Sequence, residues 1–162
     1  MFELEHVTRV AAAPLRVWSA LVDFPGHARW KPIALAGAPE PDGVIEYRFR
    51  MVAMNRTMSS SGRIVRFEKP AAFAWQTGLG RIFLFQEAFE IAPDAGGSHV
   101  RHAFRVGGFL GRILAPVVRR GLMRTLEESD RRMERHLRGV SAAAVPGRRP
   151  RAPKPRGKKT WQ

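Results

Sequence analysis

Cysteine is absent from the 162-residue sequence, which removes disulfides, thiolate nucleophiles and cysteine-ligated zinc or iron–sulfur centres and suits a reducing compartment. No stretch reaches the ~18 uninterrupted apolar residues of a membrane-spanning helix, because charges or prolines interrupt every candidate. The opening MFELEHVTRV carries Glu3 and Glu5 where a secretory leader needs a basic start and an apolar run, so a cytoplasmic location is expected.

Several chemical signatures are missing as well. There is no G-x-S-x-G elbow, and Ser59, Ser60 and Ser61 fall in an expected strand without a neighbouring base. Gly107-Gly108-Phe109-Leu110-Gly111 precedes a helix but lacks the G-x-G-x-x-G order and the Lys-Ser/Thr of a phosphate loop; it reads as hinge and close packing. Glu87 and Glu90, three apart on one strand, point to opposite faces and do not pair as glycosidase carboxylates, although an inward Glu87 remains a candidate for function. His99 and His102 are separated in the same way, and His6, His27 and His136 lie on different elements. No metal site is therefore expected, and no cofactor.

What is present in excess is positive charge, +14 overall. Of the 28 lysines and arginines, seven (Arg148, Arg149, Arg151, Lys154, Arg156, Lys158 and Lys159) follow Val140 with no acid among them, so the body carries only half the excess. Such a balance favours weak contact with polyanions, nucleic acid or anionic lipid, without choosing between them, and it also serves solubility. The segment PGRRPRAPKPRGKKTWQ has frequent prolines and almost no apolar content, which predicts a basic, extended tail over 140–162 behind a single domain over 1–139. Trp161 within it is a lone candidate for stacking on a base or entering a membrane interface.

The hydrophobic pattern orders the domain. Glu3 to Val10 reads as a strand ending before Pro14, which suits the first turn of a short helix carrying Val17, Trp18, Leu21 and Val22. A second helical turn is expected over Asp23 to Arg29, and a short strand near Ile33 to Gly37. Ile45, Tyr47, Phe49 and Met51 then alternate with Glu46, Arg48 and Arg50, the signature of a strand with one buried face. Further strands are expected over Arg56–Phe67, Phe73–Thr77, Arg81–Ile91 and His99–Val106, separated by good turn chemistry such as Pro93-Asp94-Ala95-Gly96-Gly97. From Phe109 the spacing becomes helical through Leu110, Ile113, Leu114, Val117, Val118, Leu122, Leu126, Met133 and Leu137. Pro116 marks either the start of that helix or a kink. Glu127 with Arg131, Glu128 with Arg132 and Glu134 with Arg138 favour a solvated far end. The predicted architecture is α+β, a curved antiparallel sheet of about seven strands around a long C-terminal helix, with two short helices after the first strand.

Three phrases carry a family likeness: Ala13-Pro14-Leu15-Arg16-Val17-Trp18 through Asp23 with Trp30 and Pro32, Gly62-Arg63-Ile64-Val65 leading to Pro70 and Trp75, and Gly97-Ser98-His99-Val100-Arg101-His102 running into the terminal helix. In their order and spacing they resemble the SRPBCC superfamily, which includes START lipid-transfer, Bet v 1-like and polyketide cyclase/dehydrase-like proteins. The likeness covers roughly Phe2 to Arg138. It implies the helix-grip fold and a cavity for a small hydrophobic ligand, lipid or polyketide-like, with catalysis on that ligand as an alternative.

An apolar wall with a few polar groups would suit such a cavity. Tyr47, Phe49, Met51, Trp75, Phe85, Phe104, Leu114, Val118 and Leu122 are the candidates for the wall, and the same side chains would serve equally as packed core. Trp18 and Trp30 lean to the core. His102 shares a face with Val100 and Phe104, where a histidine either orients a ligand, moves a proton or is simply satisfied in the core. In the catalytic alternative, His102, Tyr47 or an inward Arg63 would assist proton transfer. Oligomeric state is left open.

Overall fold

The computed structural model describes residues 1–51 and 56–143, with backbone alone at 49–51, 56–58 and 140–143. The side chains of Phe49 and Met51, the basic run from Arg148 to Lys159 and Trp161 lie outside the described residues.

Alternation becomes pleat from the first strand. In β1 (Phe2–Val10), Leu4 and Val10 are buried while Glu3, Glu5, Val7 and Arg9 are exposed, which places His6 and Thr8 on the inner face. Pro14 then occupies the first turn of α1 (Pro14–Val22), whose Val17, Trp18, Ala20 and Leu21 are buried. A 3₁₀ turn, Phe24–Arg29, follows; the Asp23 side chain accepts from the Gly26 N–H at 3.2 Å and holds its start.

The remaining strands form one meander: β2 (Ala34–Gly37), β3 (Val44–Met51), β4 (Arg56–Glu68), β5 (Ala72–Leu79), β6 (Phe83–Asp94) and β7 (Gly97–Gly107). All neighbours are antiparallel, and the sheet order β1-β7-β6-β5-β4-β3-β2 brings the first strand beside the last. The expected seven-stranded sheet with two short helices and a long final helix is therefore present. On the outer face Glu5, Arg101, Glu90, Arg66 and Glu68 form an ionic ladder; the Arg66–Glu90 pair, 2.9 Å, spans β5, where the small Ala72 and Ala74 leave room.

The long helix α2 (Gly108–Ala143) passes through Pro116 without ending, four residues beyond the expected domain limit. Gly108 makes its entry possible: φ is +81°, and a Cβ there would lie 2.5 Å from the Ile82 carbonyl oxygen. One expectation fails along this helix. At about 100° per residue, Leu110, Ile113, Leu114 and Val117 centre roughly 160° away from Leu122, Leu126, Met133 and Leu137. A straight rod cannot bury both groups against one sheet. The second group is inside, Leu126 and Met133 fully, whereas the first faces out. Leu114, expected in the wall, is 43% exposed for this reason, and Val118, at the crossover, is half-buried.

The core is correspondingly uneven. At one end α1, Trp30, Phe73, Phe89, Met133 and Leu137 pack in a large continuous cluster; towards the start of α2 a smaller cluster buries Leu4, Phe104 and Leu126, with the partly buried Phe2, Phe85, Leu122 and Met123 packed against them.

Candidate functional site

The inner face of the sheet carries a buried polar row beside an aromatic one. Trp75 of β5 sits directly across from Glu87 of β6, Phe89 of β6 across from His102 of β7, and His102 across from His6 of β1. Antiparallel register alone thus lines up the groups. Two more come from outside the sheet: Lys31, just past the 3₁₀ turn, and Asp130, on the buried stripe of α2 between Leu126 and Met133.

Their bonds form a chain through the protein. Lys31 Nζ donates to Glu87 Oε2 at 2.5 Å, and Trp75 Nε1 donates to the same oxygen at 2.5 Å. Glu87 Oε1 receives His102 Nε2 at 3.1 Å, and His102 Nδ1 reaches Asp130 Oδ1 at 2.7 Å. The other Asp130 oxygen receives His6 Nδ1 at 2.7 Å, with the Thr8 hydroxyl 3.4 Å away. Lys31, Glu87, His102 and Asp130 are each nearly inaccessible, whereas the His6 side chain is 36% exposed. The chain therefore runs from the deep core to the surface of β1.

Charge follows from geometry. An ionised carboxylate only accepts, and both ring nitrogens of His102 face carboxylate oxygens, so both carry protons and the ring is an imidazolium. Burial alone would lower its pKa, but the bonds to Asp130 and Glu87 outweigh burial and raise it above 6.5. Burial likewise pushes the Glu87 carboxyl up, and the Lys31 ammonium with His102 overcomes that and holds it down at about 2. Lys31 is lowered by burial despite Glu87. Lys31, Glu87, His102 and Asp130 alternate in sign and sum to zero, the condition under which charges survive burial. Around them His102 stacks on Phe89 at 4.0 Å between centroids, and Lys31 Nζ lies 5.4 Å from the Phe89 ring. Next to the quartet His27 is buried and donates to the Leu21 carbonyl at 2.8 Å; burial and the Lys31 charge depress it to about 4, so it is neutral.

The aromatic row runs alongside. Tyr47 tilts against Trp75 (5.0 Å), Trp75 against Phe85 (5.8 Å), Phe85 against Phe104 (5.3 Å), and Phe104 meets the edge of His102 (5.0 Å). Trp75 and Phe104 are closed off, whereas Tyr47, Phe85 and Leu122 keep part of their surface. The structure thus brings Tyr47, Trp75, Phe85, Phe104 and His102 together and sets Leu122 beside Phe104. It does not bring in Arg63. An inward Arg63 was one expectation, but Ile64 is buried opposite Trp75, so the period of two turns Arg63 outward, where it lines an open cleft with Gln76, Thr77 and Gly78. A second open cleft, about 530 Å³, lies between Arg29 and the Glu128, Arg132, Arg135 and His136 face of α2. Among the described residues no group of three or more histidines and acids has the arrangement of a metal site, and no helix is long and apolar enough to cross a membrane.

Lys31 and Asp130 escaped the reading of the sequence. Asp130 had left a signal, an acid on the stripe Leu126, Asp130, Met133, Leu137. Lys31 left none, since nothing periodic governs the stretch between the 3₁₀ turn and β2.

The family model for polyketide cyclase/dehydrase and lipid transport proteins matches residues 1–138. Similar solved structures include protein NE0264 of Nitrosomonas europaea (TM-score 0.70, 13% identity, 86% of this chain and 96% of that one). TTHA0849 of Thermus thermophilus follows (0.67, 16%, 86% and 99%), as does Ms6760 of Mycobacterium smegmatis (0.67, 14%, 85% and 92%). At such identities the likeness is one of fold. No curated protein sequence matches.

Proposed function

The chain belongs to the polyketide cyclase/dehydrase and lipid transport family, and from that premise we propose that it binds a small hydrophobic molecule, lipid or polyketide-like, against the inner face of its sheet. The observation that carries the reading is the half-buried pair Tyr47 and Phe85, which pack against the closed Trp75 and keep part of their apolar surface uncovered. Sites for apolar ligands combine such a wall with few polar groups. Here the polar groups lie beside the wall and are fully buried: the Glu87 and His102 side chains are bonded to protein partners, so they hold the wall in place and leave its surface apolar.

The test is uptake of the apolar fluorophore N-phenylnaphthylamine by the full chain. Phe85→Arg and Tyr47→Arg should each weaken uptake by about tenfold or more, since a desolvated charge in the wall is expensive. Uptake unaffected by both substitutions would reject the site.

A second reading, cyclase or dehydratase chemistry on the same ligand, draws on one observation, the proton that His102 holds between two carboxylates. It requires His102→Gln to abolish turnover while N-phenylnaphthylamine uptake persists; loss of both together would leave only a structural role. For the segment beyond Ala143 the reading is a solvated basic tail in weak ionic contact with polyanions, in a cytoplasmic protein. Removal of Pro146–Gln162 should flatten the salt dependence of binding to polyanions.

A further inference from the structure

The misaligned stripe of α2 leaves apolar side chains in water. Phe109 is 68% exposed, Ile113 57% and Val117 78%, all on one side of the helix with Leu110 and Leu114. Ile82, at the tip of the β5–β6 hairpin, is exposed beside them: the Phe109 and Leu110 N–H groups donate to the Arg81 and Ile82 carbonyls at 3.1 and 2.9 Å. Those bonds matter in a second way. The first N–H groups of a helix ordinarily need water, and here the hairpin satisfies two of them, so this end tolerates a medium without water.

The polar surroundings have one sign. Between Asp94 and Glu127 the sequence contains no acid, while Arg112 lies within the apolar turns, Arg119, Arg120 and Arg124 follow them, and Arg81 sits in the hairpin. None of these five is ion-paired among the described residues. Arg112 and Arg119 flank the apolar arc, and Arg120 and Arg124 continue it further along the helix.

We propose that the first three turns of α2, with the tip of the β5–β6 hairpin, form a docking surface for an anionic lipid bilayer. Phe109, Ile113 and Val117 enter the acyl boundary, and the arginines meet the phosphates above it. Charge chooses this occupant. A second copy docked face to face would press arginine on arginine with no acid to receive them, and a nucleic acid would give the aliphatic tips nothing to displace water with. The surface differs from the basic tail and stands whether or not the chain holds an internal ligand.

Because the chain has no cysteine, a single one can be labelled cleanly. Val117→Cys and Ala95→Cys, the second at the opposite end of β6, would each carry an environment-sensitive fluorophore on the full chain. Vesicles of phosphatidylcholine with a quarter phosphatidylglycerol should blue-shift the label at 117 and expose it to quenching by brominated acyl chains, leaving the label at 95 unchanged. In unlabelled protein the double substitution Ile113→Glu/Val117→Glu should weaken partition into these vesicles by about tenfold or more without lowering Tm, because both positions are exposed. Sedimentation with vesicles while the label at 117 stays in water would mean that the tail alone adsorbs, and would overturn the proposal. So would a concentration-dependent shift without lipid, which would mean self-association, or equal partition of the double variant.

Discussion

Replacing Lys31 by Met tests whether the buried quartet is a balanced set of charges. Met fills similar volume but leaves the Glu87 carboxylate in the core with only Trp75 and His102, and breaking a buried pair from one side costs about 3–5 kcal/mol. For a domain of this size that lowers Tm by roughly 10–15 °C. The pH dependence sharpens the test. Glu87 is held at about 2, against an ordinary 4.5, with Lys31 the largest lowering influence. A carboxyl depressed on folding stabilises above its unfolded pKa and loses that contribution as pH falls through about 2, here about 3 kcal/mol in all. Without Lys31 the depression largely disappears, so the variant's deficit should be full at pH 7 and narrow towards pH 3. Lys31→Met/Glu87→Gln should recover most of the loss, because the Gln carbonyl still accepts from Trp75 and its amide can donate to a neutral His102. Urea melts of the three proteins at both pH values provide the assay. A single variant costing under about 1 kcal/mol, a deficit equal at pH 3 and pH 7, or a double variant no better than the single one would refute the reasoning.

Three other outcomes are expected. Because burial lowers His27 from 6.5 to about 4, the unfolded chain takes up its proton first; this position's contribution is present above pH 6.5 and is lost, by about 3 kcal/mol, as pH falls through 4. His27→Asn, which keeps a donor for the Leu21 carbonyl, should flatten urea midpoints over that window. At pH 7 both ring nitrogens of His102 should show attached protons by NMR, and a neutral tautomer there would contradict the imidazolium assignment. Gly108→Ala should cost about 1–3 kcal/mol through strain at positive φ, whereas Gly121→Ala, with open space around the new methyl, should gain up to about 1 kcal/mol in thermal melts.

The meander was legible because most of its strands keep the period of two, β4 breaking it only at the irregularity between Ile64 and Arg66, and because the connections after β2, β4, β5 and β6 carry the Gly, Pro or Asp of turns. Alternation alone put His102 and Glu87 inside and turned Glu90 and His99 out. It equally put Arg63 out, since Ile64 is the inward residue, and the expectation of an inward Arg63 went against that period. The helix deceived for a different reason. Counting apolar residues at three- and four-residue spacings from Leu110 to Leu137 joins two stripes whose phase slips across Val118, and only the angle between them reveals that one faces solvent. The partners of the quartet were hidden because tertiary packing sets them: Asp130 comes to His102 across 28 residues and Lys31 to Glu87 across 56.

Native mass spectrometry of the freshly purified full chain, with extraction of whatever accompanies it, addresses the binding of a hydrophobic molecule most directly. The expected spectrum contains a species heavier than the polypeptide by one small apolar molecule, which disappears in Phe85→Arg. Bare polypeptide alone, both as purified and after incubation with a mixed lipid extract, would contradict it.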